Sequence, residues 1–183
     1  TTSNQTGGLN YRGGHGNDTF NISASQAATF LYSGTNNGAD TFTGNVANDL
    51  VVNSIRAESA GTIIGLNGFA NGVDVIDVAG HANVEVQGTG GNDTLDFSEV
   101  TFSNVGAGFE IDGGNNNDVI TTSNQTGGLN YRGGHGNDTF NISTTQAATF
   151  LYSGTNNGAD TFTGNTAGDG VVNTIRVESD GTL

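Results

Sequence analysis

Residues 1–63 align without a gap to residues 121–183 and differ from them only at positions 24, 25, 46, 48, 50, 54, 57, 60 and 63. A gapless period of 120 restricts the fold severely, because any local structure in the first copy has to recur in the second. Units of this kind stack, and each buries its apolar face against its neighbours. We therefore expect one continuous body over 1–183, holding about one and a half copies of a 120-residue repeat (1–120, then a partial 121–183). Both ends fall inside a repeat, which predicts a longer parent array.

A shorter rhythm runs inside each unit. An alternating apolar pair leads into a glycine at Leu9-x-Tyr11-x-Gly13, Phe30-x-Tyr32-x-Gly34, Ile64-x-Leu66-x-Gly68, Val84-x-Val86-x-Gly88 and Phe109-x-Ile111-x-Gly113. A turn rich in glycine and asparagine follows, then an aspartate with an apolar residue two positions later. Alternation with period two puts one side of each strand in a core and the other in solvent. No stretch has a helical period. The chain is expected to be all-β, a β-solenoid (parallel β-roll or β-helix) of stacked two-strand coils. The rhythm breaks between Asp40 and Asp74, where a coil either has turns on both edges or gains a strand.

The aspartates in that register are Asp18, Asp40, Asp74, Asp93, Asp118, Asp138 and Asp160, with weaker turns at Asp49 and Asp169. A glycine-rich turn can aim several carbonyls at one point, and each aspartate adds carboxylate oxygens, a donor set suited to calcium. Stacked aspartates would otherwise repel by about 1 kcal/mol per pair at 4 Å even in water. The competing reading is ordinary turn chemistry, because Asn-Asp and Gly-Asn form turns without a metal. His15, His81 and His135 read as surface turn residues. Asp77, Asp96, Glu85 and Glu110 fall at outward strand positions and read as solvated.

GGHGNDTFN occurs at 13–21 and again at 133–141, and both copies fit G-G-x-G-x-D-x-U-x at every fixed position. This resembles the calcium-binding nonapeptide of the RTX, or haemolysin-type, repeats of secreted bacterial proteins. GTGGNDTLD (88–96) and GGNNNDVIT (113–121) each depart from it at one glycine. GTNNGADTF (34–42) and GFANGVDVI (68–76) carry one extra turn residue. The resemblance implies several bound Ca2+ ions, secretion to the cell exterior or surface, and folding on calcium binding.

Composition agrees with an acidic, cation-seeking chain. The net charge is −14, all four basic residues are arginine, and only 33% of residues are hydrophobic. That balance excludes nucleic acid as a partner. No apolar run has membrane-spanning length. There is no cysteine nucleophile, no G-x-S-x-G and no lysine, so no enzyme site is expected. The leading expectation is a calcium-binding structural repeat of a large surface, adhesin or S-layer-type protein, open to self-association through the solenoid ends. Two alternatives are the calcium-dependent accessory module of a secreted polysaccharide-acting enzyme and an ice- or surface-binding solenoid. The second alternative would use an outward ladder of Thr19, Thr41, Thr94, Thr139 and Thr161.

Overall fold

A computed structural model gives the structure, which describes residues 8–44, 51–69, 72–164 and 170–179. Asp49 and Asp169 lie outside the described residues. The described chain is all strand and turn, and it winds into a β-solenoid of about seven turns. No helix among the described residues is long and apolar enough to cross a membrane. Every strand pair is parallel.

Three ladders run along the stack. The first flank consists of β1 (Leu9–Tyr11), β3 (Ala28–Tyr32), β5 (Ser54–Ala57), β7 (Val75–Asp77) and β10 (Thr101–Ser103), in that spatial order. The second flank runs β6 (Ile63–Gly65), β8 (Glu85–Gln87), β11 (Glu110–Asn115), β13 (Leu129–His135), β15 (Ala148–Tyr152) and β17 (Thr174–Val177). A spine runs through both halves. It starts as β2 (Thr19–Asn21) and β4 (Thr41–Thr43), then continues as β9 (Thr94–Asp96), β12 (Val119–Thr121), β14 (Thr139–Asn141) and β16 (Thr161–Thr163). Single bridges Asp40↔Leu66 and Phe69↔Leu95 join its two parts.

The irregular stretch gains a strand. Before it, coils alternate between first flank and spine; after residue 121 they alternate between second flank and spine. In between, each coil visits all three ladders, so the expected two-strand coil holds at both ends and a three-strand coil fills the middle. Identical sequence therefore serves two ladders: ATFLY is β3 on the first flank and β15 on the second. Parallel pairing asks only for an alternating strand of the right length, and either flank can supply the neighbour.

Alternation decides what is inside. Phe30, Ile55, Ile64, Leu66, Ile76, Val86, Leu95, Ile111, Ile120, Tyr131, Phe140 and Phe150 are each at most 1% exposed and line up along the axis. Rings of successive coils touch, as in Phe20–Phe42 at 5.2 Å and Phe140–Phe162 at 5.2 Å, both stacked. Such aromatic pairs add about 0.5–1.5 kcal/mol each beyond their burial. A core this narrow has no depth to spare, so the turns that fix coil register matter more than they would in a globule.

Candidate functional site: a ladder of buried aspartates

Each spine strand begins one residue after an aspartate: Asp18 before β2, Asp40 before β4, Asp93 before β9, Asp118 before β12, Asp138 before β14 and Asp160 before β16. Since the next inward residue lies two positions on, the aspartate shares its side of the strand, and the carboxylate turns inward beneath the turn. Asp40, Asp93, Asp118 and Asp138 are only 2%, 5%, 1% and 1% exposed. The sequence register thus brings six of the candidates onto one edge. Asp74 goes elsewhere: it precedes β7 on the first flank, where its Oδ2 accepts the backbone N–H of the buried Asn53 at 2.8 Å.

The Asn-Asp dipeptide ties coils together in both directions. Going back along the stack, the N–H of Asp18 donates to Oδ1 of Asp40 at 2.8 Å, and Asp93 to Asp118 at 2.7 Å. Asp118 donates likewise to Asp138 at 2.8 Å, and Asp138 to Asp160 at 2.9 Å. Going forward, Oδ1 of Asn92 accepts from the N–H of Asn117 at 3.1 Å, and Asn117 from Asn137 at 2.8 Å. Asn17 and Asn137 accept in the same way from Ala39 and Ala159. Leu66 occupies the spine between Asp40 and Asp93, so the aspartates form two runs, 18–40 and 93–118–138–160.

Oδ1 of Asp40, Asp118, Asp138 and Asp160 is therefore accounted for in the ladder, while Oδ2 divides the six aspartates into two classes. In the first class a hydroxyl satisfies it. Tyr32 Oη donates to Asp40 Oδ2 at 2.5 Å, and Tyr152 Oη donates to Asp160 Oδ2 at 2.5 Å. Thr89 donates to Asp93 Oδ2 through its N–H at 2.6 Å and its Oγ1 at 2.8 Å. In the second class, Asp18, Asp118 and Asp138, Oδ2 is buried and has no hydrogen-bond partner among the described residues. A buried unpaired carboxylate oxygen is costly, and it demands a cation or a proton.

The glycines explain how the oxygen comes to be there. A Cβ on Gly13, Gly113 or Gly133 would overlap Oδ2 of Asp18, Asp118 or Asp138 respectively, so the first glycine of each turn makes room for its own aspartate. Where the third glycine falls, Gly136 has φ +128°, while Asn116 stands in with φ +70°. Asparagine is one of the few other residues that adopts this region readily. Turn carbonyls point along the stack: a Cβ on Gly134, Gly136 or Gly158 would run into the carbonyl of Gly114, Asn116 or Gly136. Turn carbonyls and aspartate carboxylates thus share one edge of the stack, and both are oxygen donors of the kind a hard divalent cation takes.

Electrostatics points the same way. Burial first, then the neighbouring Asp138 and Asp93 carboxylates, push Asp118 up to about 7. Burial also raises Asp138, with Asp160 adding to it, and Asp40, with Asp18 adding. The ladder holds its negative charges reluctantly, and a positive ion would relieve it.

A second acidic group lies outside. Ligand oxygens of Glu85, Glu110 and Asp112 lie within 4.8 Å of one another on the second flank. Arg132 already serves this cluster, with Nη2 3.2 Å from Glu110 and 2.6 Å from Glu178, and Nε 3.8 Å from Asp112. Glu85 and Glu110 do fall at outward positions but are half-buried, and burial lifts Glu85 to about 7. His15 and His135 are turn residues whose Nδ1 meets the carbonyl of Asn36 at 2.6 Å and of Asn156 at 2.9 Å. The outward threonines do align, Thr19 beside Thr41 and Thr139 beside Thr161, but Val119 and the Leu66–Phe69 step interrupt the row. Sequence reasoning missed Tyr32, Tyr152 and Thr89 as carboxylate partners. The available signal was their placement: Tyr32 and Tyr152 lead into the one-residue-longer turns, and Thr89 replaces the second glycine. No family model matches the chain, and no curated protein or solved structure matches it either.

Proposed function

We propose that this chain is a calcium-binding structural repeat module of a large extracellular surface or adhesin-type protein, held in shape by divalent ions along its spine. The observation that carries this reading is that the buried Oδ2 atoms of Asp18, Asp118 and Asp138 have no hydrogen-bond partner among the described residues, each lodged against a glycine of its own turn. Two complete nonapeptides of RTX type lie on that row, at Asp18 and Asp138. The role is structural rather than catalytic, since a 120-residue period copies the same turn instead of building one unique site. An exterior location follows from supply. Extracellular modules hold calcium with dissociation constants of about 10⁻⁴–10⁻³ M, levels that cytosolic calcium does not reach.

Isothermal titration calorimetry with calcium tests the reading. The chain is expected to bind calcium in that millimolar to submillimolar range, and Asp138→Asn to weaken binding, whereas Asp96→Asn, on the outer face, does not. A chain that takes up no calcium at 10 mM, a concentration roughly ten times the weakest expected constant, would overturn it.

A further inference from the structure

The hydroxyl-closed and the orphan aspartates are not scattered at random along the spine. In the run 93–118–138–160 the two ends are closed, Asp93 by Thr89 and Asp160 by Tyr152, while the two interior members are orphans. The other run follows this order at its far end only. Asp18 is an orphan and Asp40, its last member, is closed by Tyr32. Asp18 and Asp40 are the repeat equivalents of Asp138 and Asp160. One rule covers five of the six positions, an oxygen being closed by a hydroxyl where a run begins or stops; Asp18, the first of its run among the described residues, is instead an orphan like its interior repeat equivalent Asp138.

The neighbours give the physical reason. Asp40 is followed on the spine by Leu66, which offers no carboxylate. A cation lodged there would gather oxygens from one side only. A neutral hydroxyl donor satisfies the same oxygen without needing a second turn. Tyr32, itself 3% exposed, is fixed eight residues before Asp40 at the end of β3, leading into the turn that carries one extra residue.

We propose that hydroxyl closure delimits the cation sites: divalent ions bind beside Asp118 and Asp138, which have a carboxylate on either side, and not beside Asp40, Asp93 or Asp160. This rests on the calcium reading above and makes it specific. Each 120-residue unit then carries two cation sites on its spine, at the equivalents of Asp118 and Asp138, bracketed by a threonine at one end and a tyrosine at the other.

Calcium stoichiometry, measured by calorimetry on the full chain and on single variants verified as folded in saturating calcium, tests the rule. Asp118→Asn and Asp138→Asn are each expected to lose one calcium per chain. Asp40→Asn and Asp160→Asn are expected to keep the wild-type number, because the amide oxygen still accepts the neighbouring backbone N–H and the amide NH2 can donate to the tyrosine hydroxyl oxygen. If Asp160→Asn loses a calcium as Asp138→Asn does, the rule fails while the calcium reading stands. If the wild-type chain binds none, both fall. Anomalous scattering from calcium-grown crystals of the wild-type chain decides the same question without substitutions. Peaks beside Oδ2 of Asp118 and Asp138 with none beside Asp160 support the rule, and a peak beside Asp160 overturns it.

Discussion

At the residue scale the aspartate of each spine turn does two jobs with two oxygens. In Asp40, Asp118, Asp138 and Asp160, Oδ1 fixes the spacing of coils by accepting a backbone N–H, while Oδ2 either meets a hydroxyl or is left without a partner among the described residues. Replacing Asp138 by asparagine keeps the first job and removes the second, so calcium-induced stabilisation should shrink while the metal-free chain is no less stable. Thermal unfolding with and without calcium separates the two effects. A second residue-scale prediction concerns Glu85, which faces Glu110 across adjacent strands of the second flank. Its folded pKa, about 7, lies above its unfolded value, so the native state holds the extra proton between roughly pH 4.5 and 7. Stability from this group is complete at the acid end of that window and lost as pH rises through it. Glu85→Gln should therefore stabilise the chain at pH 8 by on the order of 1 kcal/mol, after allowing for its partial exposure, and have no effect at pH 4. Denaturation midpoints at the two pH values check this.

At the scale of elements, the repeat supplies its own control. Ile55 on β5 is 0% exposed because β7 packs beside it, while its copy Ile175 on β17 is 61% exposed. Ile55→Ala should cost about 2–4 kcal/mol. Ile175→Ala, the same change in nearly the same local sequence, should cost under about 0.5 kcal/mol. Equilibrium urea unfolding of the two variants makes the comparison. The same pair shows what was legible in the sequence. Alternation identified inward residues such as Ile55, Ile111 and Phe140, and the aspartate register placed six carboxylates on one edge. Which ladder a strand would join was not legible, since ATFLY serves the first flank in one copy and the second in the other. Asp74 illustrates the limit. Its turn matches the others in composition, but the added strand β6 shifts it to a different edge, and only pairing across coils reveals that. The tyrosine and threonine closures were hidden for a similar reason: the eight residues between Tyr32 and Asp40 pass through a turn whose path decides whether the hydroxyl arrives.

At the scale of the whole molecule, a chain of net charge −14 with only 33% hydrophobic residues folds around a core two or three strands wide per coil. Its spine gathers carboxylates that water would otherwise solvate. Conformational entropy opposes folding by more than about 1 kcal/mol per residue, and a core this thin leaves little surplus. On the proposed calcium reading, each site held at ten times its dissociation constant would add roughly 1.4 kcal/mol, enough for a few sites to govern whether the solenoid persists. Arginine bridges add a second, weaker tie between coils: Arg12 pairs with Glu58 across the intervening coil, and Arg132 repeats the contact with Glu178. The Arg12–Glu58 pair, largely exposed and screened by salt, should hold little by itself. Far-ultraviolet circular dichroism at neutral pH, recorded in excess chelator and again in millimolar calcium, bears most directly on the claim that cations organise this fold. The account predicts a coil spectrum in chelator and a cooperative gain of β-structure as calcium is added. An undiminished β spectrum after exhaustive chelation would contradict it.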